Sequence, residues 1–98
     1  GYTNWRWNGI TTLEWADLAL DVIARRRRGD ALAPVLQPAT EPISKYDLLT
    51  KFRDAYRTTH HVVPVTAPVA IDRTLVPTEP RPPIEEQLTR LREWYVEC

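Results

Sequence analysis

Apolar residues recur along this 98-residue chain in two rhythms, one helical and one extended. After Thr11, the residues Leu13, Ala16, Leu20 and Ile23 fall at helical spacing, and Leu18, Ala19 and Val22 widen the stripe. That pattern predicts a helix over 12–27, buried along a broad face. Its start has a mechanism: Thr11 caps, Glu14 returns the bond as a capping box, and Ile10 forms a hydrophobic staple with Trp15. At its end, Arg25 to Arg28 complement the helix dipole and Gly29 suits the position just past the last turn. The start signal repeats at Ser44, Asp47 and the Ile43–Leu48 staple. Leu48, Leu49, Phe52, Ala55 and Tyr56 then predict a second helix over 45–57. Pro82 and Pro83 open a third, with Ile84, Leu88, Leu91 and Tyr95 as its buried stripe.

The extended segments are shorter. Residues 2–7, YTNWRW, read as a short strand, followed by an Asn8-Gly9 turn. Val35-Leu36-Gln37 reads as a short strand that the flanking prolines confine to an edge or to its ends. The VVPVT stretch at 62–66 is an edge strand or a short extended segment, and 67–81 is a proline-bearing extended loop. The expected fold is α/β in the α+β sense. It is a single small helix-rich domain over 1–98, with three helices and two or three short strands.

Composition narrows the function. Lys plus Arg balance Asp plus Glu, so the net charge is zero. A nucleic-acid or membrane-surface binder carries a basic excess, and neither partner is expected here. The helix dipole accounts for the four-arginine run. One cysteine, Cys98, cannot form an internal disulfide and is expected to be mobile. No apolar run approaches a membrane span and no signal peptide is visible, so the expected location is cytoplasmic. The chain has no Met, and Gly1 reads as a cut end.

No catalytic group is expected on this chain. His60 and His61 are adjacent, without a second ligand pair at zinc spacing, so no metal is expected. Ser44 is the one serine and is used as a cap. The three glycines are scattered, and no tyrosine has a lysine four residues on. Arg73 stands apart, because it lies in a proline-flanked loop where helix energetics do not explain it. Its planar fork fits phosphate oxygens in pairs, or a local carboxylate. Trp5 and Trp7 would share a strand face, and Trp15 follows on the helix. A domain this small does not easily enclose four tryptophans, so Trp5, Trp7 and Trp15 are candidates for an interface.

The order of motifs W-N-G-I-T-T-L-E-W-A, E-P-I-S-K-Y-D-L-L, V-P-V, I-D-R-T-L and I-E-E-Q-L-T-R-L is familiar. It resembles the C-terminal part of extended short-chain dehydrogenases/reductases acting on nucleotide sugars, in the dTDP-4-dehydrorhamnose reductase-like branch. The resemblance runs over nearly the whole chain. It implies a companion N-terminal Rossmann domain that holds NAD(P) and is absent here, with this chain shaping the sugar-nucleotide pocket. It implies a role for Arg73 near the nucleotide diphosphate, with Trp7 and Asn8 lining the pocket. The chain alone would then be inactive and carry no cofactor. The alternative is a small stand-alone binding or oligomerisation module that uses the tryptophan-rich face. A nucleic-acid binder using Arg25 to Arg28 is the poorest reading.

Overall fold

The computed structural model describes residues 1–97. In chain order its elements are β1 (Trp5–Trp7), α1 (Thr12–Arg27), β2 (Pro38–Ala39), β3 (Ile43–Ser44), α2 (Lys45–Tyr56), β4 (Ile71–Asp72), β5 (Glu79–Pro80) and α3 (Ile84–Glu97). This is a small α+β domain with short mixed strands that do not close into a barrel. β1 is central, and β3 pairs antiparallel on one side, with Arg6 opposite Ser44 and Trp7 opposite Ile43. β4 pairs parallel on the other side, with Trp5 level with Ile71 and Arg6 with Asp72. β2 and β5 form a separate parallel pair.

The helix ends follow local chemistry. Thr11 Oγ1 accepts from the Glu14 N–H at 3.2 Å, and Ser44 Oγ from the Asp47 N–H at 3.0 Å. Gly29, at φ 78°, closes α1: its N–H donates to the Arg26 carbonyl and that of Asp30 to the Arg25 carbonyl, each at 3.1 Å. This is a Schellman arrangement, which needs a left-handed residue where glycine stands. α2 instead places Arg57 in the left-handed region, at φ 53°.

Four expectations change. The capping box at α1 is only half made, because the Thr11 N–H donates to Gln87 Oε1 of α3 at 2.9 Å, not to Glu14. The strand expected at Val35–Gln37 starts three residues later, at Pro38–Ala39, where proline serves as the first strand residue. The 62–66 stretch is a short extended segment, within the expectation, bridged at Val65 to Tyr2, whereas the 67–81 loop contains β4 and β5. Asn8-Gly9 makes no turn. The expectation about Cys98 falls outside the described residues.

The broad burial predicted for α1 is also absent. Leu18 is its one buried apolar residue among those described, and Trp15 is 61% exposed. The α3 stripe is covered at Ile84 and Leu88, half-covered at Leu91 and open at Tyr95. α2 packs most extensively on α3, where Lys51 Nζ reaches Glu85 Oε1 at 2.5 Å. The shape explains the exposure, because the Cα trace extends 49 × 37 × 13 Å, with a radius of gyration of 15.8 Å. A compact chain of this length has a radius near 13 Å. The accessible surface is 6967 Å² for 11.4 kDa. A folded monomer of that mass exposes about 5,800 Å², so the excess is about 1,200 Å². A layer this thin has almost no interior: Leu18, Ala39, Ala67, Ile84 and Leu88 are its buried apolar residues among those described.

Candidate functional site

The β1–β4 register brings two of the sequence-predicted ligand residues together. Trp5 is level with Ile71 and Arg6 with Asp72, where the ladder ends, so Trp7 closes β1 and Arg73 directly follows β4. The Arg73 N–H donates to the Arg6 carbonyl at 3.1 Å. Its side chain is exposed and enters no ion pair among the described residues. The neighbouring carboxylate is engaged elsewhere: Asp72 Oδ1 accepts from the Thr74 hydroxyl at 2.7 Å and from its N–H at 3.0 Å. Trp7 is half-buried, with its indole lying over Gly9. A Cβ on Gly9 would stand 2.5 Å from Trp7 Cε2 and 2.8 Å from Nε1. Close approach by the ring, and not a turn, requires glycine here.

Asn8 has a different position. It is 2% exposed, and both polar atoms of its amide are bonded. Nδ2 donates to the Leu75 carbonyl and Oδ1 accepts from the Leu75 N–H, both at 2.8 Å. Asn4 makes the same pair with Ala67, both at 2.9 Å. A primary amide offers the donor and acceptor of a peptide group, so each asparagine extends the ladder where the returning chain leaves it. Between the clamps Val69 is exposed, and Trp5 Nε1 donates to its carbonyl at 3.1 Å. Asn8 also lines a hollow of about 330 Å³ with Thr40, Leu75 and Arg81.

The three candidate interface tryptophans occupy separate surroundings. Trp5 stacks obliquely on Tyr2, with centroids 4.6 Å apart, and Lys45 Nζ stands 5.3 Å over its ring. Trp15 lines a groove on α1 with Leu18, Ala19, Val22, Ile23, Leu36 and Pro38. No ring pair joins Trp5, Trp7 and Trp15 among the described residues.

Sequence reasoning missed the charged knot beneath these faces. Glu14 is 1% exposed. Its Oε1 accepts from Arg81 through Nε at 2.7 Å and also through Nη2, while Oε2 accepts from Arg90 Nη1 at 2.9 Å. Arg90 Nη2 continues to Asp17 Oδ2 at 2.6 Å. Gln87, also buried, donates from Nε2 to the Pro82 carbonyl at 2.8 Å. Glu14 is free for this work because Gln87 takes its place at the cap. Arg25 is likewise a tie, with its fork on the Glu79 carboxylate at 2.8 and 3.1 Å joining α1 to β5. Arg28 pairs with Asp30, and Arg26 and Arg27 are exposed. No local signal marks the partners of Glu14, which lie far along the chain. Asn4 and Asn8, flanking W-R-W at equal spacing, were the visible hint.

Three carboxylates titrate below their ordinary range. Thr74 lowers Asp72, Arg25 lowers Glu79 and Lys51 lowers Glu85, each chiefly through a side-chain hydrogen bond to the charged form. As pH falls through about 4, the unfolded chain takes up these protons first, so it binds more protons than the folded chain. The melting temperature is therefore expected to hold from neutral pH down to about 5 and to fall below about 4. Calorimetry across that range checks this, and Glu79→Gln should remove part of the slope.

The described residues do not fit a cofactor cradle. Gly9 is covered by an indole and Gly29 closes a helix, so neither offers backbone N–H groups to a dinucleotide phosphate. No cluster of three or more His, Cys, Asp or Glu able to hold a metal occurs among the described residues. His60 and His61 are exposed beside an apolar hollow of about 540 Å³, walled by Leu49, Phe52, Tyr56 and Val63. No described helix is long and apolar enough to cross a membrane. Comparison with protein-family models, with curated proteins and with solved structures finds no match to this chain.

Proposed function

We propose that this chain is the substrate-side layer of an NAD(P)-dependent nucleotide-sugar reductase or epimerase. It would work by docking on a companion Rossmann domain that carries the cofactor and the proton chemistry. The observation that carries this reading is the placement of Trp7 and Arg73: an indole at the end of β1 and an uncommitted guanidinium directly after β4, which pairs with it. A fork held out to solvent suits diphosphate oxygens, and an indole beside it suits a ring. The chain contributes orientation only, since hydride transfer between nicotinamide and a sugar carbon belongs to the cofactor. The thin layer, with an interface-sized excess of surface, supports the docking half of the proposal.

Titrating dTDP- and UDP-sugars into the 98-residue chain, followed by NMR, tests it. Weak binding is expected, reduced about tenfold or more in Arg73→Ala, the loss of one charge-assisted pair. Arg57→Ala, at another exposed arginine, should leave it unchanged. Absence of binding, or binding indifferent to Arg73, overturns the reading. The second reading, an association module, is favoured by one observation: the apolar stripe of α1 stands open to solvent.

A further inference from the structure

The first residues of the chain run through a parallel ladder whose next open groups lie level with the backbone before Gly1. The Thr3 N–H donates to the Val65 carbonyl and the Val65 N–H to the Gly1 carbonyl, both at 2.8 Å. The Gly1 nitrogen then donates to the Val63 carbonyl at 2.5 Å. These bonds step back two residues at a time along both segments, the even spacing of a parallel pair. Next in the series come the Val63 N–H and the His61 carbonyl, and neither has a backbone partner among the described residues. The opposite edge of the segment is fixed as well, since the Tyr46 N–H donates to the Tyr2 carbonyl at 3.0 Å.

That course leads into the hollow of about 540 Å³. Leu49, Phe52 and Tyr56 of α2 form one wall, Val62 and Val63 the other, and Gly1 also lines it. A Cβ on Gly1 would stand 2.8 Å from Tyr46 Cα and 3.0 Å from Leu49 Cδ1, so this face of the strand looks onto α2. Residues two apart on a strand share a face. The second residue before Gly1 therefore directs its side chain at the α2 wall, level with Val62, and its carbonyl meets the Val63 N–H. The wall is apolar, with the Phe52 and Tyr56 rings stacked at 6.3 Å, and it favours an apolar side chain at that position.

We infer that the polypeptide leading into Gly1 occupies this hollow, as a strand parallel to His61–Val63 with an apolar side chain set against α2 two residues before Gly1. The inference rests on the proposed function, in which a companion domain precedes Gly1, and it makes the hollow part of the seam between the two. The test uses the full chain with Thr-Leu-Thr or Thr-Asp-Thr added before Gly1, and reads amide exchange by NMR without ligand. Thr-Leu-Thr should slow exchange of the Val63 N–H roughly three- to tenfold, the effect of one net hydrogen bond, and raise the melting temperature. Thr-Asp-Thr should slow it less, because a carboxylate does not settle on an apolar wall. Leu49→Asp, at an exposed position, should cancel the gain from Thr-Leu-Thr. Val63 exchanging at its original rate in the Thr-Leu-Thr chain overturns the inference. Equal slowing by both extensions overturns it too, since the hollow would then hold no apolar side chain. Arg73 and sugar nucleotides take no part in this readout, so its failure leaves the ligand titration to be judged separately.

Discussion

Glu14→Ala is expected to lower the melting temperature by roughly 12–24 °C, the equivalent of about 3 kcal/mol in a domain of this size. Glu14 sits 1% exposed, with two arginines on its two oxygens. Removing it leaves Arg81, whose side chain is 20% exposed, without the carboxylate that satisfies its fork. Arg90 is better solvated and keeps Asp17, so its share is small. The rest comes from context. Total stability is only 5–15 kcal/mol for ordinary domains, and five buried apolar residues among those described place this chain low in that range. The knot also joins three segments, since Glu14 is on α1, Arg81 precedes α3 and Arg90 lies within it. Glu14→Gln keeps the shape and one acceptor and should lose about half as much. Thermal unfolding by circular dichroism separates the cases. A drop of only a few degrees for Glu14→Ala would place the cluster with surface ion pairs and leave the apolar contacts to hold α1 on α3.

The parts of this fold that were legible in the sequence are those whose physics is local. Thr11, Ser44 and Gly29 mark helix ends because a hydroxyl or a left-handed backbone acts within one turn. The two-residue strands Ile71–Asp72 and Glu79–Pro80 carry too little pattern to be read, and their register is set by partners far away in the chain. Periodicity reported that α1 has an apolar stripe but not whether anything covers it. That is why the helix was expected to be buried and stands open at Trp15, Leu20 and Ile23. At the candidate site, the residue types of Trp7 and Arg73 were readable, whereas their placement follows from pairing with β4. Glu14 was read as closing its own cap, because local chemistry does permit it. Gln87 takes that role only after α3 has docked.

Asn8→Leu should lower the melting temperature by roughly 10–20 °C in the absence of any ligand, a loss of about 2–3 kcal/mol. Leucine keeps the branched shape of asparagine, so the change isolates the hydrogen bonds from the packing. Two partners lose their bond, the N–H and the carbonyl of Leu75, which otherwise meet the side-chain amide at 2.8 Å. Each unmet buried group costs about 1–3 kcal/mol, and the half-exposed neighbourhood of Leu75 lets water recover some of it. Asn4→Leu should cost a similar amount at Ala67. The two asparagines stand about 13 Å apart on extended chain, with the backbone bonds of Ile71 and Arg73 between them. The double substitution should therefore be additive within about 0.5 kcal/mol. The outcome also bears on the proposed ligand face, because the Asn8 clamp at Leu75 holds the segment that follows Arg73. Loosening it at Leu75 should weaken sugar-nucleotide binding while Trp7 and Arg73 remain in place chemically. A melting temperature unmoved by Asn8→Leu, together with lost binding, would instead make Asn8 a direct ligand contact.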